Sequence, residues 1–137
     1  MTLAVKPKLL VVDDEPAIAE FVAGVLGSCA SEIRCAYDGE EAVSVARDFL
    51  PDCVITGFVM PRMHGLEEAV EILRFLPNCK FVFTTASAHN PDFRTEYERL
   101  GFDLRLLLPK PFKPVDLLDA LALAGFPCSS NLGSDEG

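Results

Sequence analysis

Long apolar runs are missing from this chain. None approaches the ~20 residues that a helix needs to cross a bilayer, so a helical membrane span is excluded. The opening stretch, Met1 to Lys8, lacks the basic-then-apolar pattern of a secretory leader, and a cytoplasmic location is the expectation. Histidine is scarce: His64 and His89 stand apart and match no zinc-ligand spacing. Cations are outnumbered, 12 Lys and Arg against 21 Asp and Glu, and the net charge of −9 argues against nucleic acid and for protein partners. No Cys-x-x-Cys pair occurs among Cys29, Cys35, Cys53, Cys79 and Cys128, which are read as reduced thiols filling small apolar spaces. Internal repeats, low-complexity core segments and a linker to a second domain are absent as well.

What is present is an alternation of short apolar runs with amphipathic stretches. Lys8 to Val12, Ile33 to Ala36, Cys53 to Thr56, Phe81 to Thr84 and Leu104 to Leu108 read as strands. Helical spacing appears at residues 16–26 (Ile18, Phe21, Val22, Val25, Leu26) and after Asp38, with Ala42, Val45, Ala46 and Phe49 inward. It recurs from Gly65 to Leu76, from Pro91 to Leu100 and from Val115 to Ala124. Asp38, with Glu41 three residues on, reads as a capping box. The stretch Pro91 to Leu100 is the most polar and should be thinly anchored by Phe93, Tyr97 and Leu100. Five strands alternating with five helices imply an α/β fold, a doubly wound parallel sheet of order 2-1-3-4-5. The 137 residues suit one domain, residues 1–126, followed by a mobile tail, residues 127–137.

In such a sheet, chemistry collects where the strands open into loops. Those ends bring together Asp13 and Asp14, Gly57, Thr85 and Lys110. Adjacent carboxylates suit a hard cation, and a hydroxyl with an ammonium suits phosphoryl oxygens. Taken singly, an Asp-Asp before a helix is as often a plain N-terminal cap, and a lone lysine is usually just solvated.

These residues resemble a known family. Leu10-Val11-Val12-Asp13-Asp14-Glu15-Pro16, Pro51-Asp52 through Met60-Pro61-x-Met63-x-Gly65, Thr84-Thr85-Ala86 and Lys110-Pro111-Phe112 are similar to the response-regulator receiver domain of two-component phosphorelay signalling. The likeness covers about residues 8–124 and implies the flavodoxin-like (βα)5 receiver fold. It further implies that Asp13, Asp14 and the carbonyl of Val59 would face magnesium, that Thr85 and Lys110 would face a phosphoryl group, and that Lys110-Pro111 is a candidate cis bond.

Two departures stand out. The family's phosphoacceptor aspartate falls on Gly57, which has no carboxylate to carry an acyl phosphate. The aromatic switch position, three residues before the lysine, is Leu107. Asp52 cannot substitute, since five strand residues place it ~16 Å from the mouth. With one carboxylate fewer, Lys110 is expected to turn toward Asp13 or Asp14. Magnesium should bind weakly, and no cofactor is required.

The expectation is therefore a pseudo-receiver, not an enzyme, meeting a histidine kinase or output protein through residues 91–124. A homodimer through that face is a further expectation. No DNA-binding output region follows Ala124 in this sequence, which implies either a stand-alone receiver or a piece of a longer chain. Deliberate replacement of an aspartate by Gly57 is the alternative. A small enzyme on the same fold fits poorly, because the acidic Asp13-Asp14-Glu15 would repel a cofactor phosphate.

Overall fold

The computed structural model describes residues 6–57, 65–86 and 91–128; the side chains of residues 92 and 93 lie outside the description. Elements alternate as expected: β1 (Lys8–Val12), α1 (Pro16–Leu26), β2 (Glu32–Ala36), α2 (Gly39–Phe49), β3 (Cys53–Gly57) and α3 (Gly65–Phe75). The second half supplies β4 (Lys80–Thr85), α4 (Pro91–Arg99), β5 (Leu107–Pro109) and α5 (Pro114–Leu123). All strands are parallel, in the order β2-β1-β3-β4-β5.

Alternation along each buried strand divides the core in two. Leu10, Val12, Val54, Phe81 and Phe83 point to one face, under α2, α3 and α4. Leu9, Val11, Cys53, Ile55 and Val82 point to the other, under α1 and α5. β3 is central and buried along its whole length. Asp52 fastens the start of the sheet: its carboxylate accepts from the Lys8 N–H at 2.8 Å, its carbonyl from the Lys80 N–H at 3.0 Å.

Local signals account for most boundaries. Asp38 accepts from the Glu41 N–H at 2.8 Å, and Glu41 reaches back to the Tyr37 N–H at 2.8 Å, one residue earlier than a standard capping box. α2 stops where Leu50 takes φ 54°, and Pro51 follows. α1 turns Ala19, Val22 and Leu26 inward, whereas Phe21, expected on the buried face, is exposed.

Three expectations are corrected. Leu104 to Leu106 form a 3₁₀ turn, and the last strand begins only at Leu107. Asp103 is the cause: its side chain accepts from the Arg105 N–H at 2.8 Å and pairs with the Arg105 guanidinium, which curls the backbone. α4 is anchored more firmly than its polarity implied. Tyr97 is fully buried, its ring packs edge-on against Phe83, and its hydroxyl donates to the Asp103 carbonyl at 3.0 Å. Phe102 completes that cluster, its ring 5.1 Å from Phe83; Leu100 instead lies at the surface, and the Phe93 side chain is outside the described residues.

Third, the cysteines are not all thiols. Cys29, in a 3₁₀ turn after α1, is disulfide-bonded to Cys128, beyond α5. α1 and α5 pack side by side on one face of the sheet, and their ends bring the two Cα atoms to 5.2 Å across 99 residues of sequence. Cys35, Cys53 and Cys79 are free, the last two buried as expected. Of the expected tail, Cys128 is thus fastened to the domain, and residues 129–137 lie outside the described residues.

Candidate functional site: the C-terminal mouth of the sheet

The mouth is assembled by register. Val12 lies beside Thr56, so Asp13 and Gly57 are the next positions along their strands. Gly57 lies beside Thr84, and Thr85 beside Pro109, directly before Lys110. The Lys110 N–H donates to the Thr85 carbonyl at 2.8 Å, and the Lys110-Pro111 bond is cis, as the resemblance implied.

Within this frame Asp13 is buried and fully engaged. Its Oδ1 accepts from the Glu15 N–H at 2.9 Å, in a turn that leads into α1. Its Oδ2 takes an ion pair from Lys110 Nζ at 3.2 Å, the pairing expected for Lys110 when the third carboxylate is missing. The positive end of α1 adds to the favourable field around both carboxylates. Asp14 is exposed, and Thr85 is buried. Leu107 packs within the α2–α4 core. Val59 lies outside the described residues.

Magnesium, the ion implied by the resemblance, meets a short donor set here. Of two carboxylates, one is already held by a backbone N–H and an ammonium. Among the described residues no three acidic, His or Cys side chains converge on one point. Among the described residues the donors fit the ion poorly.

Sequence reasoning missed one participant, Glu68. It lies on the inward face of α3, fully buried, behind the end of β3. The Thr56 hydroxyl stands 2.8 Å from its Oε1 and 3.2 Å from the Gly57 carbonyl, while Oε2 has no partner among the described residues. The hydroxyl donates to Oε1, with the Gly57 carbonyl as a second, longer acceptor. Burial pushes the carboxyl up to about 8, opposed by the Thr56 contact. The only signal in the sequence was position: Glu68 falls between Leu66 and Ala69 on the apolar side of α3.

Comparison with known proteins fits this architecture. The response regulator receiver domain family matches residues 9–122. The chain belongs to that family. Over 113 residues the receiver is 30% identical to the DNA-binding response regulator MtrA of Mycolicibacterium smegmatis, covering 82% of this chain and 48% of that protein. It is 30% identical over 105 residues to a protein-glutamate methylesterase/protein-glutamine glutaminase of Nitrosospira multiformis, covering 75% of this chain but 29% of that protein. The chain therefore spans about half, or less, of the length of these curated relatives. Among solved structures, the chemotaxis protein CheY4 of Vibrio cholerae superposes with a TM-score of 0.78 at 28% identity, over 88% of this chain and 99% of that one. Receiver domains act in two-component signalling by meeting histidine kinases and output domains. Among the described residues no helix is long and apolar enough to cross a membrane.

Proposed function

We propose that this receiver signals without an acyl phosphate at the end of β3, as a protein-interaction module and not as an enzyme. Gly57 carries the proposal. The position beside Asp13 and ahead of Thr85 offers no nucleophile, and Lys110 is instead held by Asp13. The second departure, Leu107, is an aliphatic side chain packed into the core where the family places a switch aromatic. The chain would work in the cytoplasm, where two-component partners are found, and meet a kinase or output protein through residues 91–124. A self-association through the same surface is part of this proposal. Magnesium would bind weakly, because the cation would compete with Lys110 for the buried carboxylate.

The test is Gly57→Asp, compared with the unaltered chain, in magnesium and a small acyl phosphodonor. The unaltered chain is expected to take up no phosphoryl group. The variant should gain one hydroxylamine-sensitive adduct if Asp13, Thr85 and Lys110 remain competent. Phosphorylation of the unaltered chain, with a change in its associations, would overturn the proposal.

A further inference from the structure

We propose that Cys29 and Cys128 form a thiol–disulfide exchange site whose substrate is a low-molecular-weight thiol or disulfide, and whose closure fixes the chain where it leaves α5. The proposal stands apart from the mouth of the sheet. α1 and α5 both run back from the strand C-termini, so the bond lies at the opposite end of the domain.

The two sulfurs are placed unequally. Cys29 is buried in the cluster that also holds Leu26, Leu121 and Ala124, whereas Cys128 is only half-buried and is the more exposed of the two residues. The other three cysteines are poor competitors. Burial pushes the Cys79 thiol up to about 12 and raises Cys53 and Cys35 as well, so few thiolates form there. Cys53 and Cys79 are also shielded from solvent.

The bond secures a segment with few other ties. α5 ends at Leu123, and Gly125 reverses the chain with φ 109°, a conformation that favours glycine. Phe126 then donates its N–H to the Leu121 carbonyl at 3.0 Å and half-buries its ring against the α1–α5 core. Without the cross-link, the described ties on Gly125 to Cys128 are those contacts, the Gly125 N–H on the Ala122 carbonyl at 3.0 Å and the packing of Cys128 on the same core, and a stretch held so lightly opens readily. Reducing compartments open accessible disulfides and oxidising conditions close them, so the state of this bond reports its surroundings.

The chemistry balances with a small thiol as co-reactant. Its thiolate attacks Sγ of Cys128, the Cys29–Cys128 bond breaks, and Cys29 leaves as a thiolate that takes up a proton. A second small thiolate attacks the resulting mixed disulfide on its outer sulfur. Cys128 is released as a thiol and the small disulfide departs. Closure runs the same steps in reverse, two protein thiols being oxidised as one small disulfide is reduced.

The experiment uses the full chain, equilibrated in mixtures of glutathione and glutathione disulfide of graded ratio. Thiols are trapped and mapped by peptide mass, and hydrogen exchange is followed over residues 124–128. Cys29 and Cys128 are expected to gain and lose protection together, with exchange in 124–128 at least tenfold slower in the closed form. Cys29→Ser and Cys128→Ser should each fix the fast rate at every ratio; the unaltered chain decides the matter by itself if a variant does not fold. A different cysteine pairing, a bond that stays shut in fully reduced glutathione, or opening that leaves exchange unchanged would each overturn the proposal.

Discussion

Replacing Glu68 by leucine should stabilise this domain, and increasingly so as pH rises. In the folded chain the carboxyl is held protonated, at about 8, against 4.5 when exposed. The folded state therefore binds more protons than the unfolded state across that interval, so stability falls as pH rises. The contribution is fully present below about 4.5, is lost progressively up to about 8, and is flat above. At about 1.4 kcal/mol per pH unit, the whole span is worth roughly 5 kcal/mol, of which about 3 lie between about pH 5.5 and 8.5. Leucine has no proton to lose and a similar volume, while Thr56 keeps the Gly57 carbonyl as its acceptor. The measurement is urea unfolding of both proteins at intervals from about pH 5.5 to 8.5, recording midpoint and slope separately. Taking the difference between them cancels the titration of every other group. A difference constant to within about 0.5 kcal/mol would mean that Glu68 titrates alike in both states and that its burial does not raise its pKa.

Other outcomes can be checked on the same samples. Lys110→Met should tighten magnesium binding in calorimetry, because it frees Asp13 Oδ2; unchanged or weaker binding would show that Lys110 does not compete with the ion. Asp38→Ala removes the cap of α2 and should lower unfolding stability by ~1 kcal/mol without altering the urea slope. Tyr97→Phe removes one of two donors to the Asp103 carbonyl, which keeps the Leu106 N–H at 2.9 Å, and should lower stability by about 1 kcal/mol, with faster hydrogen exchange in α4. Cys29→Ser opens a ring of about a hundred residues, for which chain entropy gives up to ~4–5 kcal/mol; equal thermal midpoints for oxidised and reduced unaltered chain would contradict that.

The sheet was legible because its strands are nearly continuous apolar runs. Residues 9–12 and Cys53–Gly57 are buried on both faces, and a run bounded by turn residues marks such strands whatever surrounds them. Asp13, Gly57, Thr85 and Lys110 were legible for the same reason, since each directly ends a strand or follows one. What stayed hidden depended on side-chain contacts that periodicity does not reveal. Leu104-Arg105-Leu106 looked like strand, but the Asp103–Arg105 pair two residues apart curls it first. Glu68 drew no reading from the sequence, and its burial beside Thr56 exists only once α3 is docked. Nothing in the spacing of Cys29 and Cys128 links them, because only the packing of α1 on α5 does so. Phe21 shows the opposite failure: helical periodicity turned it inward, whereas its ring lies 6.5 Å from Phe112 at the surface.

Tyr97 has a consequence for how information would leave this domain. It bolts α4 to Phe83 and Phe102 from inside, while the neighbouring strand begins with an aliphatic residue. A ring on a strand edge can swing between an inner and an outer pose; Leu107, buried in the same core cluster as Tyr97, has no outer pose of comparable size to offer. Under the function proposed above, the surface over it would be cast in one shape. An ally that recognised such a surface would learn how many copies are present and where, rather than what has recently been done to them.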